Sequence, residues 1–524
     1  MRATSKPPPF LKQRSSTTFI LATVALGLFT DLFLYGLVVP ILPFILRDRL
    51  NTAPDSLQNL TSIILACYAG SLLLFSIPAG IICDRISSRR TPFFVGLLAL
   101  AASTVLLAVG KTVWVLILSR ALQGMSAAVV WTVGFVIVRE TVGSERLGVA
   151  MGSIFSVMGL GGMIAPPVGG VVYEKFGNGA VFGLAVGVLA LDFLMRALMI
   201  ERGAAEQYGV VYEDGSERDP EVSEVGGHAR KTSLVTSIRS FSSIRTMTST
   251  EQRQYQESPG RQVQNETSPL LPNNNNINPE LDPELKPYIL PTPTPYHLPP
   301  FLYIELTSPR LWAANLATLF ASTLLAIFDA TTPLHAYHLF HLTSLHSGLL
   351  FIPMVLPYLF LGPLAGHLVD RFGPKPLSTL GFLWLSIPLF CLGLPHAGGL
   401  PEVLKYATIL FFCGPGMTAI SAPSLVEMSE VMQRYHAANP QLFGDVGPYA
   451  RLFGVNSALY SAGLALGPVV AAGLGELVGY GGLMGVMGGV SLLLAGFCMG
   501  WCGGWVGEVG FYTRRGWKGK GRER

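Results

Sequence analysis

The chain has 524 residues, 50% of them hydrophobic and 13% charged, with a formal charge of +4. Soluble domains carry roughly 25% charge, so a water-soluble enzyme is excluded as the first reading and a bilayer is the solvent to assume. The positive charge forms no long basic stripe or zinc-finger pattern, which argues against a nucleic-acid partner, and the six cysteines lie in or beside apolar runs that suggest no disulfide framework or zinc knuckle.

Residues 1–17 form a basic arm with Arg2, Lys6, Lys12 and Arg14, expected to be cytoplasmic. The apolar run after it is too long for a secretory leader and lacks a small-residue cleavage site, so it reads as a retained first span. Spans are predicted near 18–46, 63–83, 91–109, 113–138, 147–172 and 180–200, and again near 309–334, 344–369, 376–394, 403–427, 449–475 and 481–502. An unpaired amide in hydrocarbon costs several kcal/mol and the runs are too long for barrel strands, so each is expected to be a helix. The expected fold is an all-α membrane protein with twelve transmembrane helices in two six-helix halves, residues 18–200 and 309–502. Residues 201–308, Ser/Thr-rich and Asn/Pro-rich, cannot supply a core and are expected to be a cytoplasmic, mostly disordered linker.

An even span count and the Lys and Arg residues of the arm, of the loops after the second and fourth spans, and of the tail at 503–524 place both termini in the cytoplasm. Asn59-Leu60-Thr61 is then a glycosylation sequon on the opposite side. Within the linker, the stretch from Ser233 to Ser249 is a candidate for phosphorylation. Glu266, Leu270 and Leu271 have the spacing of an adaptor-read sorting signal, or are incidental linker sequence. The membrane is vacuolar or plasma, and the chain is expected to work as a monomer.

The two halves carry a repeat. Gly80 to Arg85 ends the second span as Gly-x-x-x-Asp-Arg, with Arg89 and Arg90 following; Gly366 to Arg371 ends the eighth in the same form, with Lys375 following. A glycine one turn before the acid lets a helix approach, and the Asp can meet a helix start or an arginine, which makes Asp84 and Asp370 candidate gating contacts. The fifth span has a small-residue face of Gly159, Gly161, Gly162, Pro166, Gly169 and Gly170. The eleventh has another, of Gly463, Gly467, Pro468, Gly473 and Gly475. These faces are expected to pack across the two halves, as a moving interface or as static packing.

Some charges lie inside the spans. Asp31 falls about 19 Å along the first at roughly 1.5 Å per residue, near the midplane, where a carboxylate needs a wet cavity, a proton or a partner. Proton or cation binding and structural pairing are both open, and Tyr35 shares its face one turn on. Arg120, followed by Gln123, could bias that carboxylate toward losing its proton, or be a stationary ion pair. Asp192 and Arg196, four residues apart, are expected to satisfy each other. In the second half Asp329 is a cavity candidate, Glu427 is expected to mark a helix end, and Asn456 and Tyr460 either line the cavity or bond between helices. His335, His338, His341 and His346 surround one loop; no Asp, Glu or Cys closes a metal set, so solvated or interfacial histidines are the leading reading, with a lumenal pH response the alternative.

Taken together these residues resemble the major facilitator superfamily, specifically its drug/proton antiporter group and the vesicular amine transporter branch with fungal relatives. The resemblance rests on the loop at Gly80, Asp84, Arg85, Arg89 and Arg90 and on its partial copy at Gly366, Asp370, Arg371 and Lys375. It rests also on Arg120, Gln123 and Gly124 in the fourth span, on Ala165-Pro166-Pro167-Val168-Gly169-Gly170 in the fifth, and on the opening from Asp31 to Pro43. Alanine stands at 165 where the family usually has glycine. The resemblance implies cytoplasmic latching by the loops, antiport gating by the fifth span and proton coupling through Arg120. The function expected is proton-coupled export of a small organic cation, amine or amphipathic drug-like solute by alternating access, with Phe29, Phe33, Tyr35 and Trp131 available to its apolar part. Importer or uniporter action and a non-transporting receptor or scaffold are the alternatives. No cofactor, metal or connected catalytic constellation is expected.

Overall fold

The computed structural model describes residues 8–50, 54–86, 88–206, 208, 283–291, 298–342, 349–444 and 447–503. The stretch Ser233–Ser249, the Glu266, Leu270 and Leu271 motif, His346, the tail beyond 503 and the side chain of Asn59 lie outside them. Among the described residues the long helices are ten: α1 (Thr17–Val38), α2 (Pro54–Arg85), α3 (Arg90–Val109), α4 (Val113–Val142), α5 (Leu147–Leu198), α6 (Pro309–Phe340), α7 (Phe351–Phe372), α8 (Pro374–Cys391), α9 (Leu400–Ala438) and α10 (Tyr449–Trp501). Among the described residues nine helices are long and apolar enough to cross a membrane, all of these except α8.

Local chemistry sets the ends. The Ser16 hydroxyl caps α1 by accepting from the Phe19 N–H at 3.3 Å, Thr112 caps α4 in the same way, and Ser308 followed by Pro309 starts α6. Helix α1 stops at Val38 instead of running to 46: Pro40 has no N–H to donate, and a separate helix starts at Leu42. Glycine makes the two sharpest turns. Gly177 within α5 has φ 76° and Gly479 within α10 has φ 71°, so each of these helices changes direction where the sequence predicted a loop. Helix α9 runs past Glu427 to Ala438. Glu427 is therefore no helix end; it can be buried because Arg310 Nε and the Gly503 N–H both donate to it, at 2.6 and 2.9 Å.

Small residues set the packing. A Cβ on Gly161 would lie 2.9 Å from Phe29, and one on Gly36 would lie 2.9 Å from the Ala165 Cβ, so α5 rides on α1. A Cβ on Gly463 would lie 2.7 Å from the Leu319 carbonyl and one on Gly467 2.7 Å from that of Thr323, so α10 rides on α6. Most of these glycines thus pack within their own part of the chain: Gly161 and Gly169 on α1, Gly463 and Gly467 on α6. Gly159 alone of the two faces packs across as expected, 3.3 Å from Tyr358 of α7, and the closest approaches between the amino-terminal helices (α1–α5) and the carboxyl-terminal helices (α6–α10) use other glycines. Gly80 of α2 meets Ala450 of α10 and Gly148 of α5 meets Gly366 of α7, each with room for a Cβ only 2.5 Å from the opposing carbonyl.

Candidate functional site

Asp31 is fully buried about two-thirds of the way along α1. Its Oδ2 accepts from the Tyr68 hydroxyl of α2 at 2.8 Å and from Trp131 Nε1 of α4 at 3.0 Å, while Oδ1 has no partner. Arg120 of α4, also fully buried, is not its ion pair. Nη1 of Arg120 donates to Gln123 Oε1 at 2.6 Å, and its Nε and Nη2 have no partner. The guanidinium stands 5.5 Å over the Tyr35 ring, which packs on Tyr68 at 4.6 Å. Two opposite buried charges therefore stand in one site without a direct ion pair, each with polar atoms left unpartnered. Gly124, one turn past Arg120, makes this possible: any side chain there would strike the Tyr68 carbonyl, so only glycine lets α2 come close enough for Tyr68 to reach Asp31.

From the carboxyl-terminal helices, Tyr460 packs 5.1 Å from Trp131. Asp329 of α6 is exposed and lies within electrostatic reach of Tyr35 and Tyr460. Asn456 is engaged elsewhere: its Oδ1 accepts from Thr318 Oγ1 at 2.9 Å, in a buried knot that includes Ser424. Phe29 and Phe33 stack on each other at 5.4 Å, with Phe29 lying on Gly161 of α5, so these two rings belong to the α1–α5 packing. Asp192 and Arg196 form the expected pair, with two hydrogen bonds of 2.8 Å, and Arg196 also donates to the Phe93 carbonyl at 2.7 Å. His335 stacks on Tyr480 at 3.7 Å, and the described residues hold no group of metal-ligating side chains.

The two Asp residues of the repeat do the same thing in mirrored places. Asp84, ending α2, accepts from the Ala450 and Arg451 N–H groups at the start of α10, at 2.9 and 3.2 Å, and from Arg451 Nε at 2.8 Å. Asp370, ending α7, accepts from the Gly148 and Val149 N–H groups at the start of α5, at 2.7 and 2.9 Å. Each carboxylate occupies the positive end of a helix from the other part of the chain. Around the first, Arg89 is buried and donates to Glu140 at 3.1 Å and to the carbonyls of Cys83 and Ile86, while the Arg90 N–H binds Glu201. Arg85 and Arg371 are exposed; Lys375 packs beside Gly503. Of the remaining motif positions, Gly169 lies against the Leu37 carbonyl, Pro166 touches the space left by Gly36, Gly170 faces open space and Pro468 is exposed.

Sequence reasoning missed Tyr68 and Arg139. Tyr68 lies in an apolar run with no charge to mark it. Arg139 counted only toward topology, yet it crosses to the carboxyl-terminal helices, donating to Ser429 Oγ at 2.7 Å with its guanidinium 3.3 Å over the Tyr449 ring.

The profile of the Major Facilitator Superfamily matches residues 24–441 and again 315–503. The MFS-type transporter ppzB of Metarhizium rileyi (strain RCEF 4871) is 36% identical over 498 residues, covering 93% of this chain and 96% of that protein. A probable vesicular acetylcholine transporter-B of Danio rerio is 32% identical over 184 residues, 33% of this chain and 37% of that protein. The crystal structure of the human organic anion transporter MFSD10 (TETRAN) shares the fold, with a TM-score of 0.59 at 15% identity over 94% of this chain and 100% of that one. The chain belongs to the Major Facilitator Superfamily and is a multi-pass membrane transporter of the secondary type, not an enzyme.

Proposed function

We propose that the protein is a proton-coupled antiporter that exports a small organic cation, amine or amphipathic drug-like solute by alternating access. The observation that carries this reading is the state of Asp31: fully buried, one oxygen held by two neutral donors, the other bare, and no cation paired to it. Such a carboxylate is costly as an anion in a membrane and cheap once protonated, which is the property a proton carrier needs. Asp329, exposed and within electrostatic reach of Tyr35 and Tyr460, would supply negative charge near aromatic surface for a cationic, partly apolar solute.

In this reading α5 and α10 each cross the bilayer twice, turning at Gly177 and Gly479, and with the other eight helices give twelve spans in two six-helix halves. The end bearing Asp84 and Asp370 faces the cytoplasm, as the Lys and Arg of the arm and tail require. With both carboxylates seated on helix starts, that end is shut. A proton arriving at Asp31 from the other side, followed by release of the latches, would turn the cavity inward. The unpartnered Arg120 N–H groups favour a second reading in which the solute carries a carboxylate.

Proteoliposomes with an imposed pH gradient test both. Asp31→Asn is expected to abolish proton-driven uptake while the protein still purifies as a folded monomer; equal flux in the two proteins would overturn the assignment. Competition of amines against carboxylates in the same vesicles separates the two substrate classes.

A further inference from the structure

We infer that Tyr68 is the joint through which protonation of Asp31 reaches the Asp84 latch, a positioning residue for the coupling step. The inference rests on Asp31 being the proton site. Two donors hold Asp31 Oδ2, and they sit on different helices. Trp131 is on α4, which carries neither latch carboxylate and reaches the start of α10 only through Arg139 on Tyr449. Tyr68 is on α2, the helix whose end is Asp84.

Below Tyr68, α2 is fastened to α10 at successive turns. The Ala69 carbonyl accepts from Ser461 Oγ at 2.6 Å; Gly454 lies against the Ser76 carbonyl, where a Cβ would stand 2.6 Å away; Gly80 lies against Ala450; and Asp84 caps the start of α10. These contacts form one seam on one face of α2, about 24 Å long from Tyr68 to Asp84 at roughly 1.5 Å per residue. Pro78 falls within it and removes one backbone hydrogen bond, so α2 has a place to bend.

While Asp31 is an anion, its charge-assisted bond to the Tyr68 hydroxyl holds the middle of α2 against α1. Protonation halves the strength of that bond, because a neutral carboxyl is a poorer acceptor. The middle of α2 is then free to move, and the seam on α10 loosens toward the latch. Other charged and titratable groups face this site from every neighbouring helix. Tyr35 lies on α1 itself, Arg120 on α4, and the Asp192–Arg196 pair on α5, where Arg196 touches Gly27. Asp329 on α6 and Tyr460 on α10 complete the set. Arg120 and Arg196 act on Asp31 by charge alone, and neither grips α2; Tyr68 does so directly.

The test reads the seam by thiol labelling. Ser457 lies on α10 between Gly454 and Ser461, fully buried, with a hydroxyl that has no hydrogen-bond partner, so Ser457→Cys in a cysteine-free chain is a mild reporter. In the Tyr68 protein, maleimide labelling, divided at each pH by the rate of the same thiol in the unfolded chain because only the thiolate reacts, is expected to rise about tenfold as pH falls through the titration of Asp31, the factor a single hydrogen bond of ordinary net strength can shift. Asp31→Asn should label fast at every pH. Tyr68→Phe keeps the ring packed on Tyr35 and removes only the hydroxyl; it should flatten the pH response, and Asp31→Asn with Tyr68→Phe should match Asp31→Asn alone. Trp131→Phe should move the midpoint and keep the response. A Tyr68→Phe protein with the full pH response, or additive effects in the double variant, overturns the joint. If instead Asp31→Asn changes neither labelling nor proton-driven flux, the antiporter reading falls with it.

Discussion

Gly80→Ala probes the latch without touching any charge. A Cβ there would stand 2.5 Å from the Ala450 carbonyl and 2.9 Å from the Arg451 Cα, all backbone, where ordinary contact begins at 3.4 Å. The start of α10 must retreat by the difference, 0.9 Å. Along the bond direction that stretches the two N–H bonds to Asp84 from 2.9 and 3.2 Å to as much as 3.8 and 4.1 Å, past hydrogen-bonding reach. Overpacking strain of about 1 kcal/mol and the loss of two bonds to a charged acceptor, each worth about 1.5 kcal/mol, sum to about 4 kcal/mol against the shut state, or roughly three orders of magnitude in population. The control is Gly70→Ala in the same helix, where a Cβ meets nothing within 4 Å. Both changes add the same helix propensity, so their difference isolates the contact. Labelling of Ser457→Cys at neutral pH is the assay: fast with Gly80→Ala, slow with Gly70→Ala. Equal rates would refute the claim that the Gly80 approach holds α2 and α10 together.

Two further outcomes concern the helix packing on each side. Arg196→Met leaves Asp192 buried and alone, and is expected to cost about 3–5 kcal/mol, read as a lower melting temperature in detergent; replacing both residues by leucine should cost less than either single change. Gly463→Ala forces a Cβ to 2.7 Å from the Leu319 carbonyl and into Ser322, and should destabilise the protein by about 1–3 kcal/mol, whereas Gly473→Ala, with open space around it, should be neutral in the same melt.

Residues that act through composition or spacing could be read from the sequence; residues that act through their place in space could not. The glycines and acids of the Gly-x-x-x-Asp repeat were legible because those side chains themselves do the work. Their partners were not: Ala450, Gly148 and Val149 serve only through backbone N–H groups, which any residue offers. Asp31 and Arg120 were legible as charges in apolar runs, but their separation was not, since nothing in the chain says that Gln123, not Asp31, takes the guanidinium. Tyr68 escaped notice because a tyrosine in an apolar run is ordinary, and what marks it is Gly124 on another helix. The glycine faces of α5 and α10 were recognised as contact surfaces, but of their partners only that of Gly159, Tyr358 of α7, lies across the chain as expected, because small residues fit any close neighbour.

Those glycine faces give Asp31 a second route to the latches. Helix α1 bears Asp31 and lies directly on α5 through Gly161 and Gly36; the start of α5 is what Asp370 caps. So the carboxylate touches the Asp84 latch by way of Tyr68 and α2, and the Asp370 latch by way of α1 and α5. A shift of α1 on protonation therefore bears on both. If the two routes are independent, Tyr68→Phe should silence the pH response at Ser457 on the α2–α10 seam and leave a response on the α5–α7 seam. Ser156 is the site to watch there: it is buried on α5, and its hydroxyl lies 3.1 Å from the Tyr358 carbonyl of α7. A Ser156→Cys reporter that falls silent together with Ser457→Cys would mean that α2 alone carries the signal and that α5 follows it passively.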